Sequence, residues 1–360
     1  MRILVLNPGS STLKGSLVVD GAAVAEPVTV EWPAAVEEAD EVVGRVFDAI
    51  SGAPAEAIGY RVVHGGDAYR TATEVDEPLL AEVEALDRLA PLHNRRAADV
   101  MRAGRARAPD LPHVACFDTA FHVTLEEDAW RYPIPAAWTQ PRGIRRYGFH
   151  GLSVSWSIAR AAELLDSPVE SLGLVVAHLG SGCSVTAVDR GRSVDTSMGY
   201  TPYEGLMMGT RSGSIDPGII LERAADGASS AELADGLAHR SGLLAIGGTA
   251  SARDLETRAG AGDPDATLAL AMFERRAAAA IAGQATALPS LDGVVFTGGI
   301  GEHAAAIRAR IVGRLAVIGL GRPVGGAAGD EVLDPGPPAV ICIEAREDLV
   351  IAREVSVLLT

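Results

Sequence analysis

The first residues of the sequence that could perform chemistry lie in a short polar loop, Asn7–Lys14, which reads Asn-Pro-Gly-Ser-Ser-Thr-Leu-Lys. Glycine and small hydroxyl residues let backbone N–H groups and hydroxyls approach phosphate oxygens. Lys14, the single lysine among 31 basic residues, adds a compact positive charge. The loop lacks the Walker A spacing, and an ordinary serine-rich hairpin turn has a similar composition. We predict a phosphate loop at Ser10 and Thr12, flanked by Asn7 and Lys14.

Two isolated arginines occur in apolar or glycine-rich segments. Arg61 lies in the predicted strand Ala57–Val63, where an inward guanidinium would be costly without an anionic partner. Arg211 lies in the glycine-rich segment Met207–Gly213. Arginine binds carboxylate and phosphate groups through two parallel hydrogen bonds. Each arginine therefore indicates either an anionic ligand or an internal ion pair, and the sequence leaves both interpretations open.

An aspartate and a histidine also stand beside apolar or aromatic residues. Asp118 ends the apolar run His113–Phe117, and His150 lies between Phe149 and a glycine, before a predicted helix. A lone residue of either type is more often structural than catalytic. Site residues of α/β proteins gather at the ends of strands, so we expect these two side chains and the two arginines to share one site.

The segment Gly299–Ala304 matches the dinucleotide-binding pattern G-x-G-x-x-A between a predicted strand and a predicted helix. No Asp or Glu follows at about 20 residues, where that pattern places the acid that binds ribose. We therefore interpret the segment as a nucleotide-contacting loop at a helix N-terminus. A dehydrogenase that binds NAD remains the weakest alternative.

The composition argues against several classes of protein. A formal charge of −16 argues against a nucleic-acid partner held by phosphate neutralisation. No apolar run approaches the ~20 residues that span a bilayer, and the apolar start of the chain is too short for a signal peptide. The three cysteines lack metal-ligand spacing and fit unpaired thiols in a reducing compartment. We expect a cytoplasmic protein with no membrane partner.

The elements that must position these residues alternate between apolar strands and helical patterns, which predicts an α/β protein with mixed sheets. The length of 360 residues favours two domains. Glycine-rich loops follow predicted strands near residue 7, at His178–Ser184 and at Thr297–Glu302, and this recurrence hints at two related halves. Gly321–Pro338 is rich in glycine and proline and is predicted to be a loop.

Taken together, these segments resemble the acetate kinase family, a member of the superfamily of acetate and sugar kinases, Hsp70 and actin. The most specific match is the string Asp195–Pro202 followed by Glu204–Gly213. Other matching stretches run across almost the whole chain in family order: Asn7–Lys14, Arg61–Gly66, Ala90–Asn94, Phe117–His122, Arg145–Leu152, His178–Ser184, Ser241–Leu244, Phe296–Glu302 and Glu347–Arg353.

The resemblance implies two actin-like (ribonuclease H-like) domains with a cleft between them. The first would comprise residues 1–150 with the C-terminal helix, 346–360, and the second, nucleotide-binding domain would comprise residues 151–345. Members of this family are typically homodimers, so we expect a homodimer. The implied activity is reversible, Mg²⁺-dependent phosphoryl transfer from ATP to acetate, which gives acetyl phosphate and ADP.

The resemblance also implies a role for each matching position. Asp118 would be the catalytic carboxylate, and His150 and Arg211 would stabilise the transferring phosphoryl group. The metal ligands would be Asn7 and Glu347. The substrate would be bound at its carboxylate by Arg61 and at its methyl group by Val63, Leu92, Phe149 and Pro202. The nucleotide would contact Lys14, His178, Gly180, Ser181, Gly182, Ser251, Ala252, Arg253, Gly299, Ile300, Gly301, Glu302 and His303.

The sequence departs from the family pattern mainly on the nucleotide side. Ser181 replaces the usual Asn, and the segment around Ser251 lacks the usual Asp. Smaller departures are Thr12 for Ser, Val154 for a second His, and Arg95 for Pro. These changes leave open whether ATP, another nucleotide or pyrophosphate is the donor, and they motivate a catalytically silent nucleotide-binding relative as an alternative. Propionate or butyrate remains an alternative acceptor, because one methylene changes binding by only ~1–3 kcal/mol.

Overall fold

The computed structural model describes residues 1–9, 11–32, 38–50, 54–91, 93–139, 143–322, 325–326 and 329–360. The predicted site residues Ser10 and Leu92 lie outside these described residues. The chain divides into two compact units: unit 1 contains residues 1–123, 149–156 and 346–360, and unit 2 contains residues 124–148 and 157–345. The domain boundaries expected from the sequence remain a prediction. Within the described ranges, every helix is too short or too polar to cross a membrane.

Unit 1 contains a sheet of seven strands in the order β3-β2-β1-β5-β7-β6, with β4 also paired to β2. The strands are β1 (Arg2–Pro8), β2 (Thr12–Val19), β3 (Ala22–Ala23), β4 (Val28–Glu31), β5 (Ala57–Val62), β6 (Thr73–Glu74) and β7 (His113–Phe117). β1 and β2 form an antiparallel hairpin, whereas β1, β5 and β7 are parallel neighbours. The carboxyl ends of β1, β5 and β7 therefore meet at one edge of the sheet.

The sheet of unit 1 is buried on both faces, because its central strands are apolar at successive positions. Leu4 and Leu6 of β1 belong to one core cluster, whereas Ile3 and Val5 belong to another. This alternation follows from the two-residue period of a strand. The helices of unit 1 are Ala39–Ala49, Glu77–Ala85, Asn94–Arg107 and Glu347–Leu359, and a further helix spans Gly151–Leu164. The C-terminal helix Glu347–Leu359 packs on β1 and β5. This packing matters for the site, because the first residue of the helix, Glu347, is a predicted site residue.

Unit 2 contains a six-stranded sheet in the order β10-β9-β8-β11-β13-β12. The strands are β8 (Gly173–Leu179), β9 (Cys183–Asp189), β10 (Arg192–Thr196), β11 (Gly293–Thr297), β12 (Glu331–Asp334) and β13 (Ala339–Cys342). As in unit 1, an antiparallel run of three strands is joined to parallel strands through its first member, β8. The two sheets thus share one strand order, which agrees with the hint of two related halves.

The helices of unit 2 include one long apolar helix that packs on β8 and β9. Alanine fills much of its buried face, which allows a close approach to the sheet. The helices are Glu127–Trp130, Ala136–Thr139, Pro217–Ala225, Ser230–His239, Gly242–Gly247, Ala252–Gly260, Pro264–Ala285, Gly298–His303 and Ala305–Gly313.

Two expectations from the sequence were wrong in unit 2. Gly321–Pro338 is not entirely a loop, because Glu331–Asp334 forms an edge strand that pairs antiparallel with β13. The segment Gly299–His303 is not a loop before a helix but lies inside the helix Gly298–His303, which begins directly after β11. Gly298 makes this sharp entry possible, since its φ of 77° suits glycine and a Cβ there would press against the backbone of Leu179.

Candidate active site

Four predicted site residues of unit 1 form one cluster of charged and polar side chains. Arg61 comes from β5 and Asp118 directly follows β7, so the parallel strands bring them to the same sheet edge. The Arg61 Nε lies 3.2 Å from each Asp118 carboxylate oxygen, and one terminal nitrogen lies 2.7 Å from Asp118 Oδ2. The other terminal nitrogen lies 3.3 Å from Asn7 Oδ1 and 3.5 Å from Glu347 Oε2. Asn7 Nδ2 donates to the same Glu347 oxygen at 2.7 Å.

Burial governs the charges of this cluster. The side chain of Asp118 is 1% exposed, that of Glu347 is 12% exposed and that of Arg61 is 15% exposed. Burial raises the pKa of Asp118 to about 6, although the Arg61 guanidinium lowers it, and the nearby Glu347 carboxylate raises it further. Burial opposes the charge of Arg61, but the two carboxylates hold its pKa above the ordinary value. Two carboxylates therefore share one guanidinium that stays charged.

His150 is held beside this cluster by its backbone. Its φ of 58° is rare for a residue with a side chain and indicates local strain. The backbone N–H of His150 interacts with the Asp118 carboxylate, and the next residue, Gly151, donates its N–H to the Asp118 carbonyl oxygen at 3.0 Å. Asp118 thus fixes both the guanidinium of Arg61 and the backbone of His150.

The substrate-pocket residues predicted in unit 1, Val63 and Phe149, are buried at 7% and 1% exposure. His64 follows Val63 in the chain, and its ring meets the Phe149 ring edge-on at a centroid distance of 5.4 Å. Asn94 holds this segment: the His64 N–H donates to Asn94 Oδ1 at 3.1 Å, and Asn94 Nδ2 donates to the His64 carbonyl oxygen at 2.9 Å. A fully buried amide therefore fixes the backbone that carries Val63.

We expect Asn94→Ala to lower the free energy of unfolding by about 3 kcal/mol, because it leaves the buried N–H and C=O of His64 without partners. Urea denaturation measures the change. Thr360→Ala is the control, since its hydroxyl hydrogen bond to Ser356 is exposed, and we expect it to cost less than about 0.5 kcal/mol. A loss below about 1 kcal/mol in Asn94→Ala would show that water replaces the amide and that the clamp is weak.

His122 also contacts the Phe149 segment. It is fully buried, and its Nε2 donates to the Phe149 carbonyl oxygen at 3.0 Å, which places a proton on Nε2. Burial lowers the pKa of His122 to about 4, so the ring is neutral in the folded protein near pH 7.

We expect this histidine to make the protein lose stability in acid. Between pH ~6.5, the usual pKa of an unfolded histidine, and about 4, the unfolded chain binds a proton that the folded chain does not. Stability is therefore retained above pH ~6.5 and falls by about 3 kcal/mol as the pH drops to about 4. Urea denaturation at a series of pH values should show a flatter profile for His122→Gln. Because burial also lowers the pKa of His113, the test is the difference between the two profiles, and parallel profiles would refute it.

The hairpin between β1 and β2 brings Asn7 and Lys14 opposite each other, since their Cα atoms are register partners. Cross-strand partners project to the same face of a sheet. The turn is closed by Gly9, whose N–H donates to the carbonyl oxygen of Thr12 at 2.7 Å. The structure thus places Thr12 and Lys14 on the hairpin that also carries Asn7.

In unit 2, Arg211 is partly buried and donates to the carbonyl oxygen of Pro202 at 3.2 Å. This contact joins two of the predicted site residues, which lie nine positions apart in the chain. Burial lowers the pKa of Arg211, but a guanidinium remains charged at neutral pH. The backbone turn around it is tight: Met208 donates its N–H to the Arg211 carbonyl oxygen at 3.1 Å.

The network that holds the Pro202 segment could not be predicted from the sequence. Glu204 accepts hydrogen bonds from Tyr132 and, at 2.9 Å, from Arg146. The Tyr132 hydroxyl oxygen in turn accepts the N–H of Tyr200 at 2.9 Å. These residues lie up to 72 positions apart, so no local spacing could have revealed the network.

Two of the predicted nucleotide segments meet in unit 2 because β8 and β11 are parallel, with His178 opposite Thr297. The loop after β8 carries Gly180, Ser181 and Gly182, and the helix after β11 carries the other segment. The Ser181 carbonyl oxygen accepts the N–H of Gly209 at 3.3 Å, which connects this loop to the segment that bears Arg211.

The helix after β11 uses its polar groups for structure. The carbonyl oxygens of Gly301 and Glu302 accept hydrogen bonds from Arg308 at 2.6 and 2.8 Å, and Glu302 Oε1 accepts the N–H of Ala345 at 3.1 Å. Burial raises the pKa of Glu302. Ile300 and His303 complete the predicted segment, and His303 is exposed.

The third nucleotide segment lies at a helix start. The Ser251 hydroxyl caps the helix Ala252–Gly260 by accepting the N–H of Asp254 at 3.2 Å. A serine in place of the usual acid therefore has a structural role here. Ala252 is buried and Arg253 is exposed. The ligand contacts proposed for these residues remain predictions.

The strand order of both units and the cluster of Arg61, Asp118, Asn7 and Glu347 define the class of the protein, a kinase of the actin-like fold. A crystal structure of an acetate kinase from Porphyromonas gingivalis matches with a TM-score of 0.86, 30% identity and coverage of 100% of both chains. A propionate kinase from Francisella tularensis matches with a TM-score of 0.86, 35% identity and coverage of 98% of both chains. The predicted α/β class with two actin-like domains is confirmed.

The family model of the acetokinase family matches residues 34–353. An acetate kinase from Deinococcus radiodurans is 43% identical over 99% of this chain and 98% of its own length. The chain belongs to the acetokinase family, and it is a phosphotransferase with a carboxyl group as acceptor. The resemblance inferred from the motifs is thereby confirmed.

Proposed function

We propose that this protein transfers a phosphoryl group reversibly between ATP and acetate, giving acetyl phosphate and ADP. The observation that carries the proposal is the position of Arg61, a partly buried guanidinium held by Asp118 at the sheet edge where Asn7 and Glu347 also lie. Such a guanidinium suits a small carboxylate, because its planar donors match two carboxylate oxygens.

Phosphoryl transfer to a carboxylate needs positioning and charge neutralisation more than proton transfer. A carboxylic acid with a pKa near ~4–5 is already ionised at neutral pH and needs no general base. We propose that Asp118 orients Arg61 and the backbone of His150 and does not remove a proton. His150 and Arg211 are proposed to neutralise charge on the transferring phosphoryl group.

The residues present fit a Mg²⁺ ion. Asn7 and Glu347 offer an amide oxygen and a carboxylate, the hard oxygen donors that Mg²⁺ prefers, and few protein ligands suffice for this ion. Their direct hydrogen bond of 2.7 Å shows that the two side chains reach each other. We propose that they hold Mg²⁺, which when bound would neutralise charge on the nucleotide phosphates.

On the donor side, we propose that Lys14, Thr12 and Ser10 contact phosphates. His178, the loop around Gly180, the Ser251 segment and the helix around Gly301 are proposed to contact the nucleotide. The Ser181 and Ser251 departures keep pyrophosphate as an alternative donor. Val63, Leu92, Phe149 and Pro202 are proposed to surround the methyl group.

Propionate is the second candidate acceptor, because one of the matching structures, 35% identical, is a propionate kinase. A pocket discriminates one methylene by only ~1–3 kcal/mol, so both acids can be substrates of one enzyme. We further propose the domain boundaries predicted from the sequence, with residues 1–150 and 346–360 in one domain and residues 151–345 in the other. We also propose a cytoplasmic location and a homodimer. Light scattering coupled to gel filtration would test the oligomeric state.

The proposed function is tested by trapping acyl phosphate as its hydroxamate. Purified protein with Mg-ATP receives acetate, propionate or butyrate, and a parallel sample receives pyrophosphate in place of ATP. We expect signal with ATP and acetate that vanishes in Arg211→Ala. Signal with pyrophosphate alone would change the donor, and silence of folded protein in every sample would refute the kinase activity.

A further inference from the structure

A cavity of about 470 Å³ opens within unit 1, beside the first turns after β7 and against the C-terminal helix Glu347–Leu359. This volume falls in the range of small-molecule sites, ~300–1,000 Å³. Its wall is mainly apolar and includes the rings of Phe117 and Phe121 and the side chain of Leu152. None of the roles assigned above uses this cavity.

The polar groups of the cavity have a definite arrangement. Arg70 and Arg353 line it with exposed side chains, so two guanidinium groups stand where the cavity meets solvent. Arg353 donates to Ser155 Oγ at 3.1 Å. The Arg70 Nε donates to the Asp67 carbonyl oxygen at 3.1 Å, and a terminal nitrogen of Arg70 lies 3.7 Å from the Asp67 carboxylate. The cavity therefore presents positive charge at its rim and apolar surface inside.

A carboxyl group also lines the cavity. The carboxyl group belongs to Glu354, which is half-buried. It forms a side-chain hydrogen bond with the fully buried thiol of Cys116, and its Oε2 is closed to solvent. Glu354 therefore forms part of the cavity wall but offers no free acceptor to a ligand.

We propose that this cavity binds a small organic acid with an apolar body and one anionic group for the rim arginines. We propose further that its occupancy changes turnover, a part that rests on the proposed function. The wall residues Phe117 and Gly151 are the chain neighbours of Asp118 and His150.

Close backbone packing joins the wall of the cavity to the cluster that contains Asp118. Gly151 donates its N–H to the Asp118 carbonyl oxygen at 3.0 Å, and a Cβ on Gly151 would overlap that oxygen. His150 is held at a φ of 58°, where a small backbone rotation changes its side-chain direction. A ligand that displaces the Phe117 ring or the start of the helix Gly151–Leu164 therefore moves groups bonded to Asp118.

The test uses anilinonaphthalene sulfonate, which carries an anionic group and aromatic rings. Fluorescence titration of the full-length protein, with and without saturating Mg-ADP, measures its affinity. We expect binding that Mg-ADP does not displace, that weakens about tenfold in Arg353→Ala and that is lost in Ala72→Trp, where the indole fills the cavity. Arg275→Ala, which removes an exposed arginine elsewhere, should leave affinity and basal activity unchanged.

Equal affinity in all variants, or displacement by Mg-ADP, would overturn the proposed site. A shift of Ala72→Trp to a smaller oligomer in light scattering would also overturn it, because the cavity would then belong to an interface with a second copy. Initial rates with acetate and ATP test the second part: we expect the probe to lower kcat without competing with either substrate, and no change would overturn the coupling. If the hydroxamate assay is silent while binding follows this pattern, the site stands and the proposed function fails.

Discussion

Asp118→Asn is expected to lower kcat/KM for acetate by at least about 100-fold at every pH between 6 and 9. The carboxylate accepts three contacts from Arg61 at 2.7 to 3.2 Å and is 1% exposed. The asparagine amide keeps the shape of the carboxylate but removes its charge. Because the guanidinium contacts both carboxylate oxygens, the amide NH2 group would face N–H donors of Arg61. Breaking a buried ion pair by changing one partner costs about 3–5 kcal/mol. We expect part of this free energy to be lost as a displacement of Arg61 from its position.

The shape of the pH profile distinguishes this role from proton abstraction. If Asp118 only orients its neighbours, the residual activity of Asp118→Asn should not recover as the pH rises, because no proton awaits removal. Initial-rate measurements over the pH range, with circular dichroism as a check on folding, decide the matter. Recovery toward the wild-type rate in alkali would show that Asp118 acts as a base. Asp235→Asn, which changes a surface ion pair with Arg240, is the matched control and should be silent.

Arg61→Lys extends the same prediction to the other partner. Lysine keeps one positive charge but cannot span Asp118, Asn7 and Glu347 with a planar set of donors. We expect KM for acetate to rise at least about tenfold in this variant. An unchanged KM would place the carboxylate of the substrate elsewhere.

Much of the unit 1 site could be predicted because its signals are local. Asn7 and Lys14 flank a polar turn between two apolar runs, and this pattern is typical of a hairpin. The structure places them as register partners. Arg61 interrupts one apolar strand and Asp118 directly follows another. The two strands are parallel neighbours, so their carboxyl ends meet at one edge of the sheet. Sequence reasoning could not choose between an internal ion pair and a ligand for Arg61, and the structure shows that the ion pair with Asp118 exists.

What could not be predicted depends on pairing between distant segments. The strand Glu331–Asp334 has no apolar run, and it forms because the edge of β13 is available for pairing. The clamp of Asn94 on His64 spans 30 residues, so no local pattern could reveal it. The capping role of Ser251 was also hidden, since the motif suggested a ligand contact and the hydroxyl instead satisfies the backbone of Asp254.

Arg211→Ala is expected to lower kcat by about 100- to 1,000-fold while KM for ATP changes little, which is the loss seen when one preorganised donor to a transition state is removed. Arg211 is oriented by Pro202 and by the turn at Met208, so its direction is set before substrate binds. An interaction that matters only as charge develops lowers kcat and kcat/KM together. Arg211→Lys should recover part of the rate, because it restores charge without the planar donors.

Steady-state kinetics with separate variation of ATP and acetate measure the two parameters, and calorimetric titration with ADP measures nucleotide affinity independently of turnover. Arg275→Ala is again the control, since that side chain is exposed on the helix Pro264–Ala285. If Arg211→Ala raised KM for ATP with kcat unchanged, Arg211 would serve ground-state binding of the nucleotide. The charge on the transferring group would then have to be neutralised by His150, Lys14 and the metal ion that we propose at Asn7 and Glu347, and the same kinetic test on His150→Ala would have to show the larger loss.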